Sequence, residues 1–593
     1  MVVRPGFLSP AGLSYYSDNP SSGQTARWLT LKKRDLIMRH AVLYCALLFA
    51  AKALCAAVTI EQYYSYDFSF QAQASGNPFD IDLAGDFTGP GGVRLSVPGF
   101  YDGNGVWKIR FSPTALGTWS LRTRSSMPAL NGRTEAAIEC QPNKHSTIHG
   151  GLRVDPLHPY HFVYEDGTRY FLLGYEADFL WALDMNDPER REMHKLIDQI
   201  AARGFNHLLV NVFAYDTAWA PGKSCQWDYG PPAMYAWEGS NEKPDHSLLN
   251  TRFFQLYDGM MNALRDKGIV AHVMFKVYNK QVNWPAPGSV DEERYFKYVT
   301  ARYQGYSNVV WDFSKESFNE RDKTLEKRLI DLIRSNDAYH HLVTAHDNDV
   351  YDWNPSLNTD TDFRTDQQHT NWGETIAFDR ALRKWPVINA ETAGYERGVE
   401  DLPSYGQKVD WQEVLRRAYL VYLAGGYSVY YYNNTAWDVI KPEPEPPGAA
   451  RFQQLKETLS ELPYWRMEPA NELASGGVCL AVPGEVYACY SESPDERFSG
   501  PPGGRGSGAA SAGGPGRAGS AAGRGRAGAP MVFRGRGVIL NLRALNGPAK
   551  AEWIDTWTGA REQQPIPGPA VYELSRPQSF GGAPALLIIR AGS

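Results

Sequence analysis

The sequence predicts an α/β fold: a (β/α)8 TIM barrel flanked by an N-terminal and a C-terminal β-sandwich. Three observations carry this. Between about Gly151 and Leu462, strand-like apolar runs alternate with amphipathic helical windows, the rhythm of a parallel sheet covered by helices. Eight such runs fit into this span, near the ~250 residues of a (β/α)8 barrel plus insertions. On either side the rhythm gives way to short alternating strands separated by Gly and Pro turn signals.

A chain of 593 residues needs more than one core, because single cores stop growing at roughly 250–300 residues. The first segment, 1–57, reads as a leader. Met38-Arg-His40 precedes the apolar run Ala41–Ala50, with small residues at Ala53, Ala56 and Ala57, the pattern of a secretory signal peptide starting at Met38. An uncleaved anchor helix is the alternative, and Lys52 interrupts it. A secreted or periplasmic location follows as the expectation, with no stable membrane insertion after cleavage.

Residues 58–147 read as an Ig-like β-sandwich. Phe68–Ala72, Ile81–Leu83, Val93–Val97 and Val106–Phe111 alternate apolar and polar residues, and Gly89–Gly92 and Asp102–Gly105 are turns by composition. Residues 148–465 supply the barrel. Its expected strands are Tyr170–Glu176, His207–Phe213, Val270–Phe275, Asn308–Glu316, His341–His346, Asp362–His369, Pro386–Glu391 and Tyr427–Tyr432. Helices are expected at Pro188–Arg203, Arg252–Lys267, Asp291–Tyr303, Leu325–Ser335, Glu374–Lys384 and Trp411–Gly425; strands five and six lack a clear helix between them. Residues 466–593 read as a second sandwich, interrupted at 499–530 by a Gly/Arg/Ala-rich tract. That tract lacks acidic and large apolar side chains and cannot offset its chain entropy, so it is expected to be disordered.

The net charge of −6 and a pI near 6.1 argue against a nucleic-acid partner. No His/Cys spacing resembles a zinc site, and neither a metal nor an organic cofactor is expected. Six cysteines are too few for a disulfide scaffold, and two of them, Cys45 and Cys55, lie in the leader. Cys479 and Cys489 are equidistant from Gly484 in an expected hairpin. A three-residue loop places them directly opposite each other, whereas a two-residue turn offsets them. A bridge and a pair of buried thiols both fit this pattern.

The functional signal is a pair of glutamates. Glu316 ends the fourth strand and Glu391 the seventh. Side chains at the C-terminal ends of barrel strands reach the active-site mouth. Two carboxylates facing each other there are what glycoside hydrolysis uses, one as acid and one as nucleophile or base.

Several segments add a resemblance. Gly76-Asn-Pro-Phe79, Val97–Gly105, Ile109–Pro113, Gly117–Ser125 and Leu130–Gly132 resemble an uncharacterised β-sandwich domain that precedes glycosidase barrels. His149–Val154 and Tyr164–Gly174 resemble the entrance to such a barrel. The barrel is similar to clan A retaining glycoside hydrolases and to apiosidase-like relatives, and the C-terminal part resembles a domain labelled collagen-binding. The resemblance implies that Glu316 is the acid/base and Glu391 the nucleophile. One position departs from it: Lys315 stands where clan A has an Asn that contacts the substrate 2-hydroxyl, and a cation there is expected to lower the pKa of Glu316 if the two are close.

Other candidates for the cleft lie near strand ends: Asn211, His272, Asp312, His346, Gln368 and His369 as hydrogen-bonding groups, and Tyr175, Trp181, Tyr432 and Trp437 as aromatic faces for a sugar. A strand histidine or a wall aromatic serves the core equally well. The expected function is an exported retaining glycoside hydrolase acting on a poly- or oligosaccharide. The alternatives are an inverting hydrolase in the same cleft and a non-catalytic carbohydrate-binding or adhesion protein.

Overall fold

The computed structural model describes residues 58–592 apart from 187–188, 190, 215–224, 230–231, 279, 281, 321, 348–359, 368–370, 392–394, 401, 403–407 and 494–536. The expected leader and the tract at 499–530 lie outside the described residues. Thr59–Ser593 form one compact unit. Among the described residues no helix is long and apolar enough to cross a membrane.

The N-terminal region is a two-sheet sandwich. Five strands pair in the order Val58–Glu61, Thr134–Gln141, Gly117–Ser125, Leu83–Thr88, Arg94–Pro98; three pair in the order Tyr66–Gln71, Val106–Phe111, Phe100–Gly103. The sheets meet through aromatic rings. Phe87 of the larger sheet stacks on Phe111 of the smaller at 3.7 Å, and Trp119 meets Phe111 edge-on at 5.2 Å. The turn after Phe100–Gly103 shows the local logic. Gly103 pairs with Val106, leaving Asn104 and Gly105 as a two-residue loop with φ of 50° and 73°. That left-handed pair matches the twist of the flanking strands, and Asn-Gly is the dipeptide that reaches it most readily.

The barrel strands are β1 (Gly174–Glu176), β2 (His207–Asn211), β3 (Val270–Val277), β4 (Val309–Lys315), β5 (Val343–Thr344 and His346–Asp347), β6 (Arg364–Asp366), β7 (Val387–Asn389) and β8 (Tyr427–Tyr431). Every neighbouring pair is parallel, including β8 with β1. The first half of β5 pairs with β4 and the second with β6, so the ring closes across Ala345. Expected β1 is shorter than its apolar run: Arg169–Tyr170 instead turns back to pair antiparallel with Phe162–Val163.

The longer helices among the described residues are α1 (Arg191–Ala202), α2 (Thr251–Asp266), α3 (Val290–Tyr303), α4 (Lys323–Asn336), α5 (Trp372–Leu382), α6 (Trp411–Leu423) and α7 (Ala449–Ser460). Their starts are chemically marked. Asn250, Ser289 and Asp322 accept backbone N–H bonds from the first turns of α2, α3 and α4. On α1, Met193, Leu196, Ile197 and Ile200 bury one stripe at i, i+3, i+4, i+7 spacing. The connection from β2 to α2 contains an antiparallel ribbon of Trp237–Gly239 with Pro244–Leu249.

The sandwich is fastened to the barrel by buried charge. Arg110 bonds Asp67 of its own sheet at 2.7 Å and reaches Asp258 of α2 at 3.2 Å. Arg302 of α3 grips Asp258 at 2.6 Å and Asp102 at 2.8 Å. Burial pushes the Asp258 carboxyl up, but Arg110 and Arg302 outweigh it and hold it at about 2.

The C-terminal sandwich has a six-stranded sheet, from Glu468–Pro469 through Val478–Val482, Val486–Ser491, Ala585–Ala591 and Ala549–Asp555 to Arg561–Ile566, and a three-stranded sheet of Ala474–Ser475, Gly537–Asn541 and Val571–Ser575. Val482 pairs with Val486, so the hairpin loop has three residues and Cys479 faces Cys489. They form a disulfide with Cα atoms 4.1 Å apart. Cys140 and Cys225 are free thiols.

Two measurements check these features. The leaderless chain, denatured without reductant, is expected to titrate two thiols, Cys140 and Cys225, and four after reduction. Asp258→Asn leaves two buried guanidinium groups short of an anion, which costs about 3–5 kcal/mol. Because the folded Asp258 pKa is depressed, its contribution is present above the unfolded value and lost as pH falls through about 2. Thermal melts are therefore expected to separate wild type and variant widely at pH 7 and to converge in strong acid.

Candidate active site

The C-terminal ends of the strands converge on a cluster of charge. Glu176 ends β1, Asp178 follows it, Asn211 ends β2 and Lys315 ends β4. Glu316 is the next residue, Gln367 follows β6, Glu391 lies two residues beyond β7 and Tyr431 ends β8.

Lys315 is fully buried among three carboxylates. Its Nζ donates to Glu176 and, at 3.1 Å, to Asp178 Oδ1; it forms an ion pair with Glu391 Oε1 at 3.0 Å. The Trp437 ring lies 4.1 Å from the same nitrogen. Asp178 also accepts from Asn211 Nδ2 at 2.9 Å and from the Tyr431 hydroxyl. Burial opposes the charge on Lys315, but Asp178, Glu176 and Glu391 prevail and raise its pKa well above the usual lysine range. The site therefore contains a permanent internal cation.

Glu316 is held differently. Its backbone is left-handed, with φ 56° and ψ 44°. A non-glycine residue there costs on the order of 1–3 kcal/mol and persists only where its surroundings enforce it. Asn319 Nδ2 donates to its Oε2 at 3.2 Å. Burial, then repulsion from Glu391, raises its pKa; Lys315, Lys280 and a hydrogen bond from Gln367 act the other way and do not win. Lys315 thus has the expected sign of effect on Glu316, but desolvation is larger. Gln367 Nε2 also donates to Glu391 Oε2 at 3.1 Å. One amide therefore serves both glutamates.

A profile of the apiosidase-like catalytic domain matches residues 158–474, more than half of the chain. The chain belongs to the apiosidase-like family. The apiosidase-like barrel makes it a glycoside hydrolase with a carbohydrate substrate. Residues 59–126 match a domain family of unknown function, DUF5060. The chain is similar in fold to a "putative glycoside hydrolase" from Bacteroides vulgatus ATCC 8482, with a TM-score of 0.65 and 20% identity, over 90% of this chain and 99% of that one. A family 5 glycoside hydrolase from the same organism gives 0.53 and 17% identity over 75% and 94%. No curated protein matches the sequence.

The other expected residues of this apiosidase-like site that the structure describes divide into three groups. Asn211 and Trp437 are in the cluster. Trp437 has a positive φ of 56°, donates to the Tyr395 hydroxyl at 2.8 Å, and carries Lys280 Nζ 3.3 Å from its ring centroid. His272 and Asp312 lie deeper. They meet at 2.9 Å, and His207 Nε2 lies 3.0 Å from His272 Nδ1. Asp312 is three residues before Lys315, about 10 Å down the strand. Its Oδ1 accepts from the backbone N–H of His346 at 3.1 Å, and the His346 carbonyl accepts from Ser317, so the His346 backbone ties β5 to the turn after Glu316.

Tyr175, Trp181 and Tyr432 belong to the barrel wall. Tyr175 bonds Thr435, Trp181 stacks on Phe213 and donates to the Asn211 carbonyl, and Tyr432 donates to the Pro444 carbonyl. Gln368 and His369 lie outside the described residues; the glutamine that reaches both carboxylates is their neighbour Gln367. Sequence reasoning passed over Glu176, Asp178, Gln367, Tyr395 and Tyr431. A carboxylate at the end of β1 was the one available signal, because any polar residue at that end of a barrel strand faces the mouth.

The bond from Gln367 favours the charged form of Glu316. Gln367→Met is expected to raise the alkaline limb of kcat/KM by roughly one pH unit, the equivalent of one charge-assisted hydrogen bond. A pH–rate profile on an aryl glycoside reads it.

Proposed function

We propose that this protein is an exported retaining glycoside hydrolase that cleaves a poly- or oligosaccharide by double displacement. One observation carries the choice of mechanism. Gln367 Nε2 donates to Glu391 Oε2 at 3.1 Å, and the Gln367 amide and the Glu391 charge both act on Glu316. The two carboxylates are therefore close neighbours around one amide. That suits the ~5–5.5 Å spacing of a retaining pair better than the ~6.5–9.5 Å that leaves room for a water in an inverting one.

In the first step Glu316, whose pKa burial and the neighbouring Glu391 charge raise, gives a proton to the leaving-group oxygen. Glu391, facing the Lys315 ammonium, attacks the anomeric carbon and forms a glycosyl ester. Glu316, now a carboxylate, then takes a proton from water, which displaces Glu391 with a second inversion. Export is part of the proposal. The signal-peptide pattern before Val58 and the Cys479–Cys489 bridge both fit an oxidising compartment.

Following a 4-nitrophenyl glycoside by NMR is expected to show the product first in the anomeric configuration of the substrate; the opposite anomer would indicate direct displacement. Glu391→Gln should fold and lose turnover, because an amide cannot form the ester. Glu316→Ala should lose roughly 10²–10⁴-fold on glycosides with poor leaving groups and much less on activated aryl glycosides, which need little protonation. Equal losses on both would remove Glu316 from the acid role.

A further inference from the structure

We propose that Lys315 is a positioning residue that fixes the orientation and the negative charge of Glu391, with Glu176 and Asp178 as the cage that holds the ammonium there. The inference rests on Glu391 being the nucleophile.

An ammonium has three N–H donors. Lys315 faces three carboxylates, Glu176, Asp178 at 3.1 Å and Glu391 at 3.0 Å, and its remaining side meets Trp437 at 4.1 Å. Two of its donors go to Glu176 and Asp178, and the ammonium, closed in by Trp437, lies against Glu391 Oε1. Its job is therefore done on Glu391. Asp178 cannot leave the ammonium cheaply, because Asn211 and Tyr431 hold it in place from β2 and β8. The cage thus aims the lysine at one oxygen of the nucleophile, while Gln367 holds the other.

The groups facing this pair are Glu176 from β1, Asp178 after it, Glu316 after β4, Tyr395 after β7 and Tyr431 of β8, with Lys280 beyond Glu316. Three carboxylates cannot all be charged around one buried lysine without a large uncompensated cost. Glu176 is the one that keeps its proton. Its Oε2 is buried with no hydrogen-bond partner among the described residues, an arrangement a carboxylate oxygen tolerates poorly and a carboxylic acid tolerates better. Burial, only partly offset by Lys315, pushes it the same way. Lys315 then divides its charge between Asp178 and Glu391.

Opposite shifts follow from this division. The acid limb of kcat/KM reports the group that must be ionised in the free enzyme. Measured on a 4-nitrophenyl glycoside that the wild type turns over, Lys315→Gln is expected to move that limb up by about one pH unit or more, since a contacting opposite charge is worth about 1–3 units. Lys315→Arg, which keeps the charge, should bring it back toward wild type. Asp178→Asn leaves more of the ammonium to Glu391 and should move the limb down. Glu176→Gln replaces a neutral acid with a neutral amide and should leave it in place.

Should Lys315→Gln fail to fold, the direction given by Asp178→Asn decides. Lower melting temperatures with an unmoved acid limb in both variants would overturn the inference and leave Lys315 a structural ion. A downward shift in Glu176→Gln would overturn the assignment of the proton to Glu176. Turnover by Glu391→Gln would instead sink the nucleophile assignment, an outcome distinct from either.

Discussion

One buried ammonium ties the fold to the site. Lys315 is wholly removed from solvent, and a lone charge in that position would cost several kcal/mol after relaxation. Its partners come from β1, from the residue pair after it and from the segment beyond β7. In sequence these lie on both sides of it, so they meet only when the ring of strands closes. Closure of the barrel and satisfaction of the lysine are thus one condition. Trp437 completes the enclosure from beyond β8, with its backbone in the left-handed region and its indole N–H on Tyr395.

The same arrangement gives two neighbouring glutamates different surroundings. Glu391 meets the ammonium directly. Glu316 is adjacent to Lys315 in sequence, but its left-handed backbone turns it out of the strand and toward Asn319 and Gln367. It is desolvated, and it feels the charge of Glu391 more than that of the lysine. Environments that separate the pKa values of neighbouring carboxylates distinguish acid from nucleophile in glycosidases generally. Under the proposed roles, the difference in surroundings here comes from a single left-handed residue placed after a cation.

Much of this could be read in the sequence, for definite reasons. The barrel strands are apolar because both faces of a parallel sheet are covered, and the helices carry their apolar stripes and N-caps in plain sight. Glu316 and Glu391 stood out because each closes an apolar run. What was hidden depends on backbone direction. The left-handed turn at Glu316 leaves no signature in its residue type, and β5 divides at Ala345 with no Gly or Pro to mark it. The wall position of Trp181 and the pairing of His272 with Asp312 are set by which side of a strand faces which neighbour. Lys315 was visible as a departure from clan A. Its partners were not, because Glu176 and Asp178 lie well over a hundred residues away in sequence and become neighbours only through closure.

Such a site also needs a rigid frame, since an ion pair aimed at the proposed nucleophile loses its effect when the strand ends drift. The N-terminal sandwich supplies part of that frame. Arg110 reaches across to Asp258 on α2, and Arg302 on α3 closes the network onto Asp102 of the sandwich. These two helices lead into β3 and β4. The clamp therefore acts on the strand that presents Lys315 and Glu316, from the side opposite to the substrate. Through these ion pairs the flanking domain is tied to the helices that lead into the strand carrying both the internal cation and the expected acid.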